Sequence, residues 1–459
     1  MINIKSDSRK IKKGDIFIAL KGISSNGEEY VESAIEKGAA TIIVDSDNKY
    51  SVNTIKVPDT RKYLNKYLKD NYYKYLSEMN IIGVTGTNGK TTTSYLIYQM
   101  LNKLGIKCAY IGTIGFYLDK KVYSLPNTSS DICDLYDMII TSYDNGYRNI
   151  VIEVSSQGLS YNRFETIKFD YAIFTNLTQD HLDYHKTMEN YALAKKKLFD
   201  SLKQNGIGIV NKDDKYYKYY ITNNTVYYGE STTDYKIESY NLGYKTLFKL
   251  NIKGNIYNFK TNLIGKYNIY NLTAALALLN EMNIDINRII ELTSNLETPP
   301  GRMDIVNFKD NLIIIDYAHT PDAMENVFDT VNKIKKGKLF TIFGCTGDRD
   351  RTKRPIMMKL ATINSDKVIV TSDDLHDEDF NHIISDMLKD NTNNNFEIIQ
   401  DRGEAIKKGI SYLREKDLLL ILGKGHEEVI IIKDKRIPFN DKKEVEKIIN
   451  NQLVFENKD

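Results

Sequence analysis

The segment Gly86-Thr87-Asn88-Gly89-Lys90-Thr91 lies between an apolar run at residues 81–84 and a helical pattern at residues 90–104. A strand, a glycine-rich turn and a helix in this order are typical of a phosphate-binding loop, because glycines let backbone amides approach phosphate oxygens and the helix N-terminus attracts anions. Lys90 would balance the charge of the β- and γ-phosphates, and the Thr91 hydroxyl would bind Mg²⁺. The general P-loop formula has a glycine where this chain has Val84. An ordinary strand–helix turn is the alternative.

Apolar runs and helical patterns alternate on both sides of this loop. Before it, runs at residues 15–20 and 41–44 flank an amphipathic pattern at residues 28–37, which predicts a small α/β unit; a polar helical stretch at residues 60–78 follows. After the loop, further strand-like runs separated by helical patterns predict a mostly parallel sheet. These runs are residues 109–112, 150–154 and 171–175.

The only Pro-Pro pair, Pro299-Pro300, predicts a hinge. Short apolar runs beyond it, separated by helices, predict a second doubly wound sheet. They are residues 312–315, 339–343, 367–371 and 418–422. We therefore predict three α/β domains at residues 1–79, 80–298 and 299–459.

Composition narrows the classes of function. The 459 residues are 41% hydrophobic and 27% charged, and 63 Lys and Arg nearly balance 61 Asp and Glu, so we expect no nucleic acid partner. Three widely separated cysteines form neither a disulfide framework nor a metal cluster, which fits a reducing cytoplasm. We see no signal peptide and no apolar run near the ~20 residues that span a bilayer, so we expect a cytoplasmic protein without membrane insertion.

Three further positions are candidates for chemistry. Glu153 ends an apolar strand, at the sheet edge where parallel sheets bind ligands, although an exposed strand-end glutamate is the alternative. His181 and His185 lie in a short polar loop after a strand, and such histidines either bind metal or pack and cap helices. Lys195 begins a run of three lysines on a helical pattern, which by itself indicates only a solvated face.

Together these residues resemble the Mur ligases of peptidoglycan synthesis and, within that family, the tripeptide-synthetase (MurE) type. The resemblance covers almost the whole chain, and its motifs follow the family order. They are Asp7-Ser8-Arg9, Gly14-Asp15-Ile16-Phe17, residues 85–91, Glu153-Val154-Ser155-Ser156, residues 175–185, Gly265-Lys266-Tyr267-Asn268 with Asn271, Gly301-Arg302-Met303-Asp304, residues 316–321, Gly347-Asp348-Arg349-Asp350, Lys353-Arg354-Pro355 and Gly423-Lys424-Gly425-His426-Glu427.

The resemblance implies a three-domain Mur ligase fold: a small N-terminal α/β domain for the UDP-sugar, a central P-loop ATPase domain and a C-terminal Rossmann-like domain for the amino acid. It implies ATP-dependent ligation of an amino acid to UDP-MurNAc-L-Ala-D-Glu through an acyl phosphate, by a monomer. Two Mg²⁺ ions would take part, one held by Thr91 and Glu153 and one by His181 and a carbamylated Lys195. Lys90, Lys195, His181 and Arg302 would be catalytic.

The resemblance also implies binding residues. ATP would contact the loop residues Gly86, Thr87, Asn88, Gly89, Lys90, Thr91 and Thr92, with Asn268 and Asn271 at the adenine and Arg302 and Asp316 at the phosphates or ribose. The UDP-muramoyl peptide would contact Ser8, Thr128, Ser129, Ser155 and Arg163. The amino acid would contact Arg354 through its α-carboxylate, Glu427 through its amine, and Asp374, His376 and Gly423.

The largest departure from the family is its amino-acid specificity loop, usually Asp-Asn-Pro followed by Arg in diaminopimelate enzymes. Here residues 373–379 read Asp-Asp-Leu-His-Asp-Glu-Asp. An arginine binds a distal carboxylate through two parallel hydrogen bonds, which His376 cannot form. The five carboxylates of this loop would repel the distal carboxylate of diaminopimelate. We therefore expect lysine, ornithine or another basic amino acid, unless these carboxylates point to solvent.

Other hypotheses remain open at this stage. A paralogue of the same type could serve a different carboxylate or amino acid in a specialised pathway. Folylpolyglutamate synthase shares the architecture, but the Asp7-Ser8-Arg9 segment counts against it. A non-catalytic nucleotide-binding protein is disfavoured by Lys90, Glu153, His181 and Lys195.

Overall fold

A computed structural model of the chain describes residues 2–21, 26–125, 127–243 and 245–456. Within these ranges the chain forms three α/β units, each built on its own sheet, which confirms the predicted fold class. In the described part, no helix is both long and apolar enough to cross a membrane.

The N-terminal unit is a four-stranded parallel sheet in the order β1-β2-β3-β4. A 3₁₀ turn at Gly27–Tyr30 leads into its first helix, which is shorter than the predicted one because only its second half is α-helical. The elements are β1 (Ile4–Lys5), β2 (Ile16–Ile18), α1 (Val31–Glu36), β3 (Thr41–Val44), β4 (Asn53–Lys56) and α2 (Thr60–Ser77).

The central unit is an eleven-stranded sheet in the order β15-β14-β13-β12-β11-β10-β5-β9-β6-β7-β8, parallel from β13 to β6 and antiparallel at both edges. The antiparallel edges were not predicted. Its elements are β5 (Asn80–Thr85), α3 (Lys90–Lys103), β6 (Cys108–Gly112), β7 (Gly115–Tyr117), β8 (Lys121–Tyr123), α4 (Ile132–Asp144), β9 (Asn149–Glu153), α5 (Ser156–Ser160), β10 (Phe169–Phe174), α6 (Leu182–His185), α7 (Met188–Asp200), β11 (Leu202–Asn211), β12 (Thr225–Gly229), β13 (Tyr235–Asn241), β14 (Thr246–Ile252), β15 (Asn255–Thr261), α8 (Lys266–Glu281) and α9 (Ile286–Thr293).

The C-terminal unit is a six-stranded sheet in the order β16-β17-β21-β18-β19-β20, parallel except for the β16–β17 hairpin, with a separate β22–β23 hairpin. Its strands at residues 339–343 and 418–422 coincide with the predicted ones. The elements are β16 (Asp304–Phe308), β17 (Asn311–Asp316), α10 (Pro321–Ile334), β18 (Leu339–Phe343), α11 (Lys353–Asn364), β19 (Lys367–Val370), α12 (Phe380–Leu388), β20 (Phe396–Ile398), α13 (Arg402–Tyr412), β21 (Leu418–Leu422), β22 (Val429–Ile432), β23 (Lys435–Pro438) and α14 (Asp441–Glu456).

The first two units share a hydrophobic core. Leu64 and Leu68 of α2 are fully buried in the same cluster as Ile139 of α4, and Ile4 of β1 belongs to it as well. Because this core runs across residue 79, the domain boundaries at 79/80 and 298/299 stay predictions. Parallel strands bring their carboxyl ends to one edge of each sheet, which is where the candidate site lies.

Candidate active site

The phosphate loop joins β5 to α3 and is braced by residues that follow β10. The Thr87 amide donates to the carbonyl of Asn176 at 2.8 Å. A Cβ at Gly86 would lie 1.8 Å from Thr175 Oγ1, so only glycine fits there. The Lys90 ammonium donates to the carbonyls of Gly86 and Thr87 at 2.9 and 2.8 Å. The loop is therefore held in a fixed shape, with its lysine folded over it.

Glu153 ends β9 and is fully buried behind this loop, which rules out an exposed strand-end glutamate. Its carboxylate accepts hydrogen bonds from the Thr91 hydroxyl at 2.9 Å and from the amide and hydroxyl of Thr113 at 3.0 and 2.9 Å. The Tyr110 hydroxyl donates to it as well. Thr91 and Glu153 thus form a pair of oxygen donors, the ligand type that Mg²⁺ prefers.

Lys195 is the buried member of the lysine run on α7, with 1% of its surface exposed. Its amine donates to the Gly86 carbonyl at 2.7 Å and lies 4.5 Å from the centre of the Tyr191 ring. Burial, and then the positive charge of Lys90, hold the pKa of Lys195 well below its usual range. This lysine therefore lies against the phosphate loop and not on a solvated face.

The two histidines of the loop after β10 have different environments. His185 is buried, with Nε2 2.9 Å from Ser156 Oγ and its ring stacked on Tyr191. His181 has a left-handed backbone and a half-exposed ring whose Nε2 lies 3.5 Å from Asp180 Oδ2. His185 is thus a packed histidine, whereas His181 faces a cavity. The side chain of Asp183, quoted with this loop, lies outside the described residues.

The predicted adenine contacts are buried near the start of α8. Asn268 donates to the Ile264 carbonyl at 2.8 Å, and Asn271 donates to Asn268 Oδ1 at 3.2 Å. A Cβ at Gly89 would lie 2.3 Å from Asn271 Oδ1, so α8 packs directly against the phosphate loop. Thr92 is buried in the first turn of α3. Contact of these residues with adenine stays a prediction.

Arg302 and Asp316 lie together at the start of the C-terminal sheet. The Asp316 carboxylate accepts from the amides of Met303 and Ala318, both at 2.8 Å, and burial raises its pKa. The Arg302 guanidinium lies 4.4 Å from the centre of the Tyr317 ring, and its positive charge contributes to lowering the pKa of Lys90, after burial. Arg302 of the C-terminal domain therefore lies close enough to Lys90 for their charges to interact.

Buried polar atoms around this junction lack hydrogen-bond partners among the described residues. They are Arg302 Nε, Tyr267 OH and His426 Nδ1. Burial, and then the charge of Arg302, lower the pKa of His426 to about 3, so its ring is neutral. Since buried polar atoms are normally paired, this cluster fits a ligand with polar groups, and ATP is such a ligand.

A cavity of about 860 Å³ separates the central and C-terminal domains. Thr113, Thr128, Asp180 and His181 line it from the central domain. From the C-terminal domain it is lined by Tyr317, His319, Arg349, Lys353, Asp373, Asp374, His376, Gly423, His426, Glu427 and Arg436. The side-chain amide of Asn88, in the phosphate loop, donates to Asp322 on the cavity wall. The predicted metal ligand His181 and the predicted amino-acid residues Asp374 and Glu427 therefore line one cavity, and the phosphate loop contacts its wall through Asn88.

Charged side chains of the central and C-terminal domains also face each other across this cavity. Burial by itself would raise the pKa of Asp180, but His181, His319 and Lys353 outweigh it, and the net direction is downward. Burial, and then the charge of Lys353, lower the pKa of His319 to about 4. An anionic Asp180 therefore faces the cationic Lys353 across the cavity.

The acidic loop is partly neutralised by buried cations. Lys424 is fully buried, and its ammonium lies 2.9 Å from Asp374 Oδ1 and 2.6 Å from Glu427 Oε2. Glu378 forms a bidentate pair with Arg354, at 2.8 and 2.7 Å. These partners, which could not be predicted from the sequence, remove part of the repulsion that we expected against a second carboxylate.

Arg354 is not at the cavity. It is fully buried, its second partner is Asp386 at 2.8 Å, and its pKa is raised first by the hydrogen bond to Glu378. To bind the amino acid's α-carboxylate, as predicted, it would have to break both ion pairs. Arg349, quoted in a motif but given no role, lines the cavity instead and has no polar partner among the described residues.

His376 and Gly423 complete this side of the cavity. His376 has a left-handed backbone, and its amide and carbonyl bind the β22–β23 hairpin through Ile431 and Lys433. Gly423 has φ +110°, and a Cβ there would lie 2.5 Å from Asp373 Oδ2. The same hairpin brings Arg436 to the cavity, opposite Ile431. Sequence alone gave no signal for Arg436.

Four of the predicted UDP-substrate residues surround Glu153. Ser129 donates to the Glu153 carbonyl at 3.3 Å and accepts from the Ser155 amide at 3.0 Å. Arg163 donates to the Ser129 carbonyl, and the Thr128 hydroxyl lies 3.0 Å from that of Thr113. These side chains connect the β9 end to the cavity.

Ser8 lies apart from these four, in a 3₁₀ turn of the N-terminal unit, and is buried. The turn is tied to the start of α4, since the Ser6 hydroxyl donates to Asp131 at 2.9 Å and Lys10 pairs with Asp134. The N-terminal unit is thus docked beside the Ser129 segment, where a long substrate could extend.

A phosphate loop backed by a buried carboxylate and facing a second α/β domain is typical of a nucleotide-binding enzyme, and the family matches identify the class as ATP-dependent ligases. The chain belongs to the Mur ligase family. Its three regions match the Mur ligase family catalytic domain at residues 2–80, the Mur ligase middle domain at 84–279 and the Mur ligase glutamate ligase domain at 301–425.

Named relatives are similar over nearly the full length. The UDP-N-acetylmuramoyl-L-alanyl-D-glutamate–2,6-diaminopimelate ligase of Aquifex aeolicus is 40% identical, covering 97% of this chain and 93% of the relative. That of Clostridium tetani is 41% identical, covering 97% and 94%. A solved structure of an enzyme with this name is 33% identical, with a TM-score of 0.67, covering 98% and 94%. The MurF ligase of Thermotoga maritima with ADP, 19% identical with a TM-score of 0.71 and covering 99% and 98%, shows the shared fold.

Proposed function

We propose that this chain ligates a diamino acid to UDP-MurNAc-L-Ala-D-Glu and converts ATP to ADP and phosphate. The observation that carries the proposal is the cavity in which Asp180 and His181 of the ATPase domain face Asp374 and Glu427 of the C-terminal domain. The relatives named above support the substrate, since their names specify this dipeptide and diaminopimelate. The chemistry follows from placing a carboxylate, a phosphate and an amine in one cavity.

Diaminopimelate is our first candidate for the amino acid, ahead of lysine and ornithine. Arg349 and Arg436 are exposed on the cavity wall and have no polar partners among the described residues. An arginine binds a carboxylate with two parallel hydrogen bonds, so these two can serve the two carboxylates of diaminopimelate. Asp374 and Glu427 would bind an amine. The acidic loop argues less strongly against this ligand than its sequence implied, because Arg354 and Lys424 neutralise part of its charge.

The reaction needs positive charge at the phosphates. Lys90 and Arg302 supply it from opposite domains, and they act on the γ-phosphate as it passes to the substrate carboxylate to give an acyl phosphate. The amine then attacks the acyl carbon, and phosphate leaves. A hydrogen bond between Asn88 and Asp322 joins the two domains beside this position, and closer approach of the domains around bound substrates would exclude water from the acyl phosphate.

We propose two Mg²⁺ sites. Thr91 and Glu153 would hold one ion, because their oxygens are 2.9 Å apart and face the phosphate loop. His181 and Lys195 would hold the other if Lys195 is carbamylated, since its depressed pKa favours the neutral amine that combines with CO₂ and releases a proton. Bound Mg²⁺ would offset the repulsion between the substrate carboxylate and the γ-phosphate.

The remaining parts of the proposal concern the larger substrate and the setting. Ser8, Thr128, Ser129, Ser155 and Arg163 would bind the UDP-muramoyl peptide along a path from the N-terminal unit to the cavity. The enzyme would act as a monomer, because all of these residues come from one chain, and in the cytoplasm, where ATP and UDP-linked precursors are made.

The test is phosphate release from ATP and Mg²⁺ in the presence of UDP-MurNAc-L-Ala-D-Glu, with diaminopimelate, lysine, ornithine and the standard amino acids supplied one at a time. We expect strong turnover with diaminopimelate and a product whose mass corresponds to one added residue. Turnover with lysine or ornithine alone would restore the interpretation drawn from the acidic loop. Absence of turnover with every amino acid would contradict the proposed acceptor and favour a paralogue with another substrate.

A further inference from the structure

Lys424 is a fully buried lysine beside the cavity for which the proposed reaction gives no role. Its ammonium lies 2.9 Å from Asp374 Oδ1, 2.6 Å from Glu427 Oε2 and 3.9 Å from Asp373 Oδ1. All three acids line the cavity, but Lys424 does not. One buried cation thus contacts three carboxylates from behind the cavity wall.

The charge balance of this cluster depends on Lys424. Carboxylate oxygens of Asp373, Asp374 and Glu427 lie within 4.8 Å of one another, a spacing that would also suit a metal ion. The ammonium of Lys424 already lies within hydrogen-bonding distance of two of these acids, Asp374 and Glu427. One positive charge against three negative charges leaves two negative charges facing the cavity. Without the lysine, the pKa of Glu427, which burial already raises, would rise further.

The hydrogen bonds of the cluster leave acceptors free on the cavity side. Asp374 Oδ1 accepts from both Lys424 and the Ile431 amide, at 2.9 and 2.8 Å. Its Oδ2 has no hydrogen-bond partner within the described ranges. Glu427 accepts from Lys424 through Oε2 and from the Tyr317 hydroxyl at 3.2 Å through Oε1. Lys424 therefore fixes one oxygen of each acid and leaves capacity for a further donor.

We infer that Lys424 is a positioning residue that orients Asp374 and Glu427 toward the amino group of the incoming amino acid and keeps Glu427 anionic. The inference rests on the proposed function, because it takes an amino acid as the ligand of this cavity. Lys424 acts through the two acids and does not touch the ligand. Lys424 therefore favours a ligand that carries an ammonium group, although Lys424 itself lies where the amino acid cannot contact it.

The expected signature is a change in pH dependence. The charged and titratable groups that face Glu427 are Lys424, Asp373, Asp374, Tyr317 and Arg402. Burial raises the pKa of Glu427, and Lys424 opposes that increase. Loss of the lysine charge should raise this pKa further, so the anionic form should require a higher pH. The acidic limb of kcat/KM for the amino acid would then move upward.

The experiment compares Lys424→Met with the wild type in ligation assays from pH 6 to 9, with the amino acid that the wild type uses. We expect the KM for the amino acid to rise about tenfold and the acidic limb to move up by about one pH unit, with the KM for ATP within about twofold of wild type. The control is Lys407→Met, which removes an exposed lysine of α13 that pairs with Glu404. It should match the wild type in every parameter.

Two further variants keep the test decisive. If Lys424→Met does not fold, Lys424→Gln, which keeps N–H donors without charge, should show the same upward displacement. Lys424→Arg keeps the charge, so its acidic limb should stay near that of the wild type even if its KM changes. An unmoved limb in the neutral variants, or equal displacement in Lys424→Arg, would overturn the inference while the proposed function stands. A wild type that is inactive with every amino acid would overturn both.

Discussion

The nucleotide region and the amino-acid region of this enzyme use their charged residues differently. In the phosphate loop, Lys90 and Thr91 are neighbours in sequence, and both face the same ligand position. On the amino-acid side, charged residues come from four separate segments, and several form ion pairs within the protein. Arg354 pairs with Glu378, and Lys424 pairs with Asp374 and Glu427. A contiguous motif therefore predicts the role of a residue more reliably than does a single charged residue in a loop expected to bind substrate.

The largest effect should follow from Lys90→Ala, which removes the cation of the contiguous motif. We expect ATP turnover to fall by at least about 10³-fold, because Lys90 is the loop's own cation and a charge at a transferring phosphoryl group is worth several kcal/mol. Phosphate release measures it. Lys62→Ala, an exposed lysine of α2, is the control and should leave turnover unchanged. Retained turnover in Lys90→Ala would mean that the nucleotide binds elsewhere.

The next largest effect should follow from Lys195→Ala. We expect ligation to be lost and then partly restored by short-chain carboxylic acids, because the cavity left by the side chain can admit an external carboxylate in place of the carbamate. Ligation assays with and without added acetate or propionate measure this rescue. The adjacent Lys196→Ala is the matched control, since Lys196 is more exposed and pairs with Asp200.

Labelling gives a second readout of the same prediction. Wild-type protein in ¹³C-bicarbonate should show a carbamate carbon signal by NMR that Lys195→Ala lacks and Lys196→Ala keeps. Full activity of unrescued Lys195→Ala, or the absence of that signal in active wild type, would exclude a carbamate role.

The sequence was sufficient for most of the fold and for the local structure of the predicted phosphate loop. Strong apolar runs such as those at residues 339–343 and 418–422 predicted the parallel strands, and residues 86–91 form the predicted turn between a strand and a helix. The antiparallel strands β13 to β15 were missed because only one face of each is buried, which weakens the apolar signal.

The amino-acid half was less accessible from sequence. Pairing of Arg354 with Glu378 joins residues 24 positions apart, and pairing of Lys424 with Asp374 joins residues 50 positions apart. Local sequence patterns do not reveal such contacts, so an arginine that forms an ion pair within the protein cannot be distinguished from one that binds substrate. Arg436 was missed for the same reason, since only the hairpin β22–β23 brings it to the cavity.

A third prediction contrasts two arginines of one motif region. Arg354→Ala should lower the free energy of unfolding by about 3 kcal/mol, because it leaves the buried carboxylate of Glu378 without its main cation. Arg349→Ala should leave stability unchanged and raise the KM for the amino acid about tenfold, because Arg349 is exposed on the cavity wall. Denaturant unfolding and ligation kinetics measure the two effects. A loss of stability in Arg349→Ala together with a raised KM in Arg354→Ala would instead indicate that Arg354 binds the α-carboxylate.

Acid unfolding provides an independent measure of the same pair. The hydrogen bond from Arg354 holds the pKa of Glu378 at about 2, below its usual 4.5. A lowered carboxyl pKa contributes stability above the unfolded value, and that contribution is lost as pH falls from 4.5 toward 2. Arg354→Ala should lack this part of the pH dependence, whereas Arg349→Ala should keep it.

The smallest effect should follow from Arg436→Ala, which tests whether the cavity recognises a second carboxylate. Arg436 is exposed, so solvent screens its charge, and we expect only a three- to tenfold rise in the KM for diaminopimelate, about 1 kcal/mol. Lysine, which lacks the distal carboxylate, should bind the variant and the wild type alike. Arg414→Ala, a surface arginine of the same domain that does not line the cavity, is the control. An equal rise for both amino acids would show that Arg436 contacts a group common to them, and the second carboxylate would then need another partner on the same wall.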